Sequence, residues 1–133
     1  MIGDSITNTV LQKALDGVWQ RQRAISNNIA NYETPGYKAK KVSFESALEQ
    51  EVKSLSAQAA SKGGIDEMKA RIEQLRFREY DSDNVSTRAD GNNVDLDAEN
   101  IDLAKTQLQY QFLTRSFSDG IARLRYAISE GRK

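Results

Sequence analysis

Apolar residues recur at alternating intervals of four and three in two stretches, one near each end of the chain. In the first, Leu11, Leu15, Val18, Gln22, Ile25 and Ile29 fall on one line. Residues so spaced share one face of a helix, and five of these six are apolar, a coiled-coil-like seam. The pattern predicts a helix from about Ser5 to Asn31, with Asp4 or Ser5 as N-cap. Asn27, Asn28 and Asn31 then compete for the backbone, and Pro35 excludes helical geometry at Thr34. Pro35-Gly36 fits the centre of a type II turn, where glycine supplies the positive φ.

In the second stretch, Leu103, Gln107, Tyr110, Thr114, Phe117, Ile121, Leu124 and Ile128 keep the same intervals. Asp97 is the expected N-cap, Leu96 and Ile101 form a hydrophobic staple, and Glu99 and Asp102 favour the first turn. Arg123, Arg125, Arg132 and Lys133 suit the far end, with Gly131 as the stop.

The middle is less regular. Phe44, Leu48, Val52 and Leu55 share one helical face, as do Ile65, Met68, Ile72 and Leu75, with Gly63-Gly64 between the two groups. Tyr80–Asp90 is polar and aperiodic, an exposed loop, and a short hairpin around Phe77–Val94 is the expectation there. Asp90-Gly91-Asn92-Asn93 is turn chemistry. The fold class expected is mainly α, with long N- and C-terminal amphipathic helices paired as a coiled-coil-like hairpin and a small irregular α/β middle. Residues 1–41 and 97–133 form the paired ends, and 42–96 the intervening segment.

Composition agrees with helices that finish burying themselves elsewhere. Of 133 residues, 38% are apolar and 29% charged, thin for a compact globule. Lys plus Arg equals Asp plus Glu at 19 each, so no overall field points to nucleic acid or a membrane surface. Residues 1–41 carry six basic and three acidic side chains, 42–100 seven and thirteen, and 101–133 six and three. Positive ends thus flank an acidic middle, a pattern that orients neighbours or simply reflects solvated helix faces. No stretch approaches the roughly 18 apolar residues of a membrane span, and Met1–Val10 has no cleavable-signal pattern.

Candidate chemistry is sparse. With no Cys and no His, disulfides, thiol nucleophiles, imidazole bases and common zinc ligands are absent. The carboxylate pairs Glu45/Glu49 and Asp95/Asp97 read as a polar helix face and as capping, not as a glycosidase pair. Lys38, Lys40 and Lys41 read as solvated, and Trp19 as a partly buried helix flank, with an aromatic interface anchor as the other reading. No catalytic, cofactor or metal site is expected.

Ile25-Ser26-Asn27-Asn28-Ile29-Ala30-Asn31 followed by Thr34-Pro35-Gly36-Tyr37-Lys38 resembles the N-terminal signature of the bacterial flagellar rod and hook axial proteins. Asn92–Asp97 and the ending Leu124–Arg132 narrow the resemblance to short rod members. It covers about residues 10–45 and 90–132, and 46–89 match nothing. The resemblance implies a structural subunit of the proximal rod, polymerising around an export channel and transmitting torque. It implies export without a cleaved signal through the flagellar type III apparatus. The implied partners are itself, other rod proteins (FlgC-like), a FliE-like adaptor, the membrane-supramembrane ring and the export gate. Asn27, Asn28, Asn31, Thr34, Pro35, Gly36 and Tyr37 would form the family turn. Leu11, Leu15, Val18, Ile25, Ile29, Leu103, Tyr110, Phe117, Ile121, Leu124 and Ile128 would form the assembly seam. A FlgC-like rod protein and a type III adaptor or chaperone are the alternatives.

Overall fold

The computed structural model describes residues 2–57, 64–86 and 88–130; Gly63, Gly131, Arg132 and Lys133, named above, lie outside them. The protein is mainly helical. Helix α1 (Ile2–Ala30) is followed by strand β1 (Lys40–Ser43), helices α2 (Glu45–Ala57) and α3 (Gly64–Gln74), strand β2 (Arg78–Asp81) and helix α4 (Leu96–Glu130). At 1.5 Å per residue α1 and α4 run roughly 43 and 52 Å.

Helices α1 and α4 pack antiparallel along most of their length. Asn28 meets Glu99 at one end, Arg21 meets Gln109 midway, and Gly120 lies against Asn8 at the other. The same register carries the last turn of α4 past the start of α1, and Ile128 there is exposed.

The core lies on the other side of α1, not in the seam between the long helices. Ala14 and Val18 of α1 meet Phe44, Leu48, Leu55 and Ile72. Gly17 makes this possible. Glycine costs a helix interior about 1 kcal/mol relative to alanine, yet a Cβ there would lie 2.5 Å from Cγ of Phe44. Gly17→Ala is therefore expected to destabilise the chain by about 1–2 kcal/mol, overpacking outweighing the helical gain. Urea midpoints should show the loss.

Several expectations change. α1 begins at Ile2, so Asp4 and Ser5 lie inside it rather than capping it. The cap of α4 is Asp95, not Asp97: Asp95 Oδ1 accepts from the amides of Asp97 at 3.0 Å and Ala98 at 3.2 Å. That moves the cap two residues upstream and leaves Ile101 exposed instead of stapled to Leu96. The last turn of α4 carries no basic residue. Val52 is exposed while Phe44, Leu48 and Leu55 of the same stripe are buried. The hairpin expected around Phe77–Val94 is replaced by a long-range pair: β2 runs antiparallel to β1, with Lys40 opposite Asp81 and Ser43 opposite Arg78. The nominal loop from Tyr80 therefore begins as strand.

Candidate functional site

The turn at the end of α1 is exposed from Glu33 to Gly36 but closes over a buried polar junction. Asn31 accepts from Thr34 Oγ1 at 3.0 Å, and its amide nitrogen donates to the Asn27 carbonyl at 2.8 Å. Tyr37 N–H reaches the Thr34 carbonyl at 3.2 Å across Pro35-Gly36, with Gly36 at φ 74°, as a type II turn requires. Gly36 N–H then donates to the Asp90 carbonyl at 2.8 Å, joining this turn to the one before α4.

Three buried asparagines hold the junction. Asn28 donates to the Lys40 carbonyl at 2.9 Å and to Glu99 Oε2 at 3.1 Å. Its oxygen accepts from Tyr37 Oη at 3.0 Å and Lys40 N–H at 2.8 Å. A primary amide has two donors and two acceptor sites, and all four are used. Asn92 donates to the carbonyls of Asn31 and Thr34, both at 2.8 Å, while its oxygen accepts from Val94 N–H. Asn93 accepts from Ala39 N–H at 2.7 Å and donates to the Ser82 and Asn84 carbonyls. Together they tie the end of α1, the chain into β1, the segment after β2 and the start of α4. Asn27 stays exposed.

Glu99 is the ionisable member. Burial pushes its carboxyl above the ordinary 4.5, although the Asn28 bond and Lys41 pull the other way. A carboxyl raised in the folded state binds its proton more tightly there than when unfolded. Stability should therefore fall as pH climbs from about 4.5 through the folded value, and stay lower above it. Glu99→Gln cannot titrate, so its melting temperature relative to the parent should rise between pH 4 and pH 7. A constant difference would mean Glu99 ionises freely.

Other charges have tighter roles than the sequence suggested. Arg21 grips Glu45 with both nitrogens at 2.5 and 2.6 Å, donates to the Val42 carbonyl and lies 4.5 Å over the Phe44 ring. Burial raises the Glu45 carboxyl, but the hydrogen bonds from Arg21 prevail and hold it below its ordinary value. Lys38 donates to the Gly91 carbonyl, Lys40 pairs with Asp81 across the strands, and Lys41 lies 3.6 Å from Asp102, so none is merely solvated. Lys13 donates to the Glu73 carbonyl at the end of α3. Trp19 is not a buried flank: it is 59% exposed, with Arg23 stacked on its ring at 4.9 Å.

The remaining feature is an unfinished surface. On α1, Val18 and Ile25 are buried, and Leu11, Leu15 and Ile29 half-buried. On α4, Leu103, Phe117, Ile121 and Leu124 are half-buried, whereas Tyr110 and Ile128 are exposed. Leu113, outside the predicted line, packs against the core. Leu108 and Phe112 stand open to solvent at 66% and 71%. Among the described residues no cluster of His, Cys, Asp or Glu suits a metal ion, and no helix is long and apolar enough to cross a membrane.

The family model described as "Flagella basal body rod protein" matches residues 10–38, from the middle of α1 through the exit turn. "Flagellar basal body rod protein FlgB" of Bacillus subtilis (strain 168) is 35% identical over 129 residues, 92% of each chain. The chain belongs to the FlgB family of flagellar basal body rod proteins. The Escherichia coli (strain K12) FlgB is 30% identical over 129 residues, covering 90% of this chain and 91% of that one. The Yersinia ruckeri FlgB is 35% identical over 109 residues, 75% and 77%. As a FlgB-family member the chain is a structural subunit of the flagellar basal-body rod. It serves motility there in association with other rod components. The family match covers the Asn28 side of the junction, while Asn92, Asn93 and Glu99 complete it from outside the matched segment.

Proposed function

We propose that the terminal helices polymerise by packing on the same helices of neighbouring subunits, building the proximal part of the rod around an export channel. Residues 1–41 and 97–133 act as the assembly unit, and 42–96 form the outer segment. The observation that carries this is α4: across 35 residues its buried members are Glu99 and Thr106, both polar. A helix about 52 Å long whose apolar side chains are at most half-buried gains only part of its possible stability from folding on its own. Other chains supply the burial that its apolar residues still lack. Heterologous contacts repeated with a screw rotation give an open tube, not a closed dimer.

The chain leaves the cytoplasm without a cleaved signal through the flagellar type III apparatus. It joins a FliE-like adaptor, the membrane-supramembrane ring and export gate on one side and FlgC-like subunits on the other, and transmits torque. The family turn acts as a rigid elbow between assembly helix and outer segment. No residue serves catalysis, and the chemistry is packing. An epitope-tagged chain should be secreted and recovered in purified basal bodies. Leu124→Asp should be secreted but missing from them. Recovery of the tagged chain solely as a stable cytoplasmic dimer would favour the adaptor or chaperone alternative.

A further inference from the structure

We infer that Trp19 of one copy seats in a groove on the next copy of this same chain, forming the lateral contact of the assembly proposed above. The inference rests on that reading and adds the contact itself. The groove, about 640 Å³, runs between α1, β1 and α4. Its apolar wall is Tyr80, Leu108 and Phe112; Lys40, Lys41 and Lys105 line it together with the acidic Glu99 and Asp102. That volume lies within the roughly 300–1,000 Å³ of sites that enclose a compact group. Lys105 makes no ion pair among the described contacts.

Trp19, the only tryptophan, stands on the outer face of α1 beside Asp16 and Glu79, with Arg23 stacked on its ring. Three observations point to a second copy as occupant. An exposed tryptophan is the residue type most often found as the anchor of an interface. The carboxylates beside it complement Lys105, the groove lysine left over once Lys40 and Lys41 pair with Asp81 and Asp102. On α1, Trp19 lies about 140–160° round the helix from Ala24 and Arg21, which line the groove. Donor and acceptor surfaces therefore face opposite ways. One copy cannot satisfy itself and two cannot close symmetrically, so the contact propagates from copy to copy.

The chain has no cysteine, so engineered thiols report alone. Cells lacking the native chain would produce a Trp19→Cys chain and a Phe112→Cys chain together, and their purified basal bodies would be treated with a short thiol-to-thiol cross-linker. The expected result is a dimer of this chain when both variants are present and none with either alone. Basal bodies that contain both chains but yield no dimer, or yield an adduct with another protein's mass, overturn the inference while leaving the rod assignment standing. Failure of the rod reading itself would appear as absence of the wild-type chain from basal bodies. Should the cysteine variants not assemble, charge exchange decides: Asp16→Lys and Lys105→Glu should each reduce incorporation several-fold, and the double variant should recover it. Unaffected single variants, or a double variant no better than either, would equally overturn the contact.

Discussion

Asn28→Ala should lower the stability of the free chain by about 3–5 kcal/mol, as much as truncating a large core side chain. The side chain is 1% exposed and makes four hydrogen bonds. Truncation leaves the Lys40 amide and carbonyl, the Tyr37 hydroxyl and the Glu99 carboxylate without it in a site that water does not reach easily. Each unsatisfied buried group costs about 1–3 kcal/mol, and local relaxation returns part of the sum. Asn28→Asp separates shape from chemistry. It keeps the size and the acceptor but loses both donors and sets a second carboxylate against Glu99, so it should be no better tolerated at pH 7. Urea unfolding of both variants is the check. A loss under 1 kcal/mol for alanine would mean that the junction is solvated and not a structural clamp.

The double variant Leu108→Gln, Phe112→Gln should do the reverse, leaving the chain stable and abolishing rods. Both side chains are mostly exposed in the single chain, and glutamine is a good helix former, so the free chain should unfold within about 1 kcal/mol of the parent. In the assembly these positions lose the apolar area that a neighbour would cover, at about 25 cal/mol per Å² from every subunit. Cells should secrete the variant and fail to swim in soft agar. Normal swimming would place the assembly face elsewhere on the molecule.

What the sequence made legible follows from which forces are local. The exit turn was readable because Pro35 and Gly36 impose their own geometry, and the structure has Gly36 at φ 74°. The two long helices were readable from a four-three repeat. Their rotation was less so: Leu113 faces the core and Tyr110 does not, because an open helix pair leaves more than one apolar line on the helix. The cap of α4 was misplaced by two residues because Asp95 and Asp97 are chemically alike, and the loop geometry chooses between them. The β1–β2 pair was invisible because its strands are far apart in sequence and β2 is exposed throughout, without a period-two pattern.

The asparagine clamp sat between these cases. Asn92 and Asn93 read as turn formers, and Asn28 as a helix breaker, from local propensity alone. Their burial depends on contacts between residues far apart in sequence, as does that of Glu99, which read simply as a first-turn acid. The pairing of Arg21 with Glu45 gave no signal, since arginine and glutamate are ordinary on helix faces. Gly17 carried a faint one, a glycine inside an apolar helix, and its reason is Phe44.

Hydrogen exchange of α4, compared between the free chain and purified basal bodies, tests most directly whether this helix is completed by its neighbours. The account predicts fast exchange over residues 108–130 in dilute free chain, slower exchange near Glu99 and Thr106, and strong protection of the whole helix after incorporation. Equal and strong protection of residues 108–130 in the free chain would contradict it.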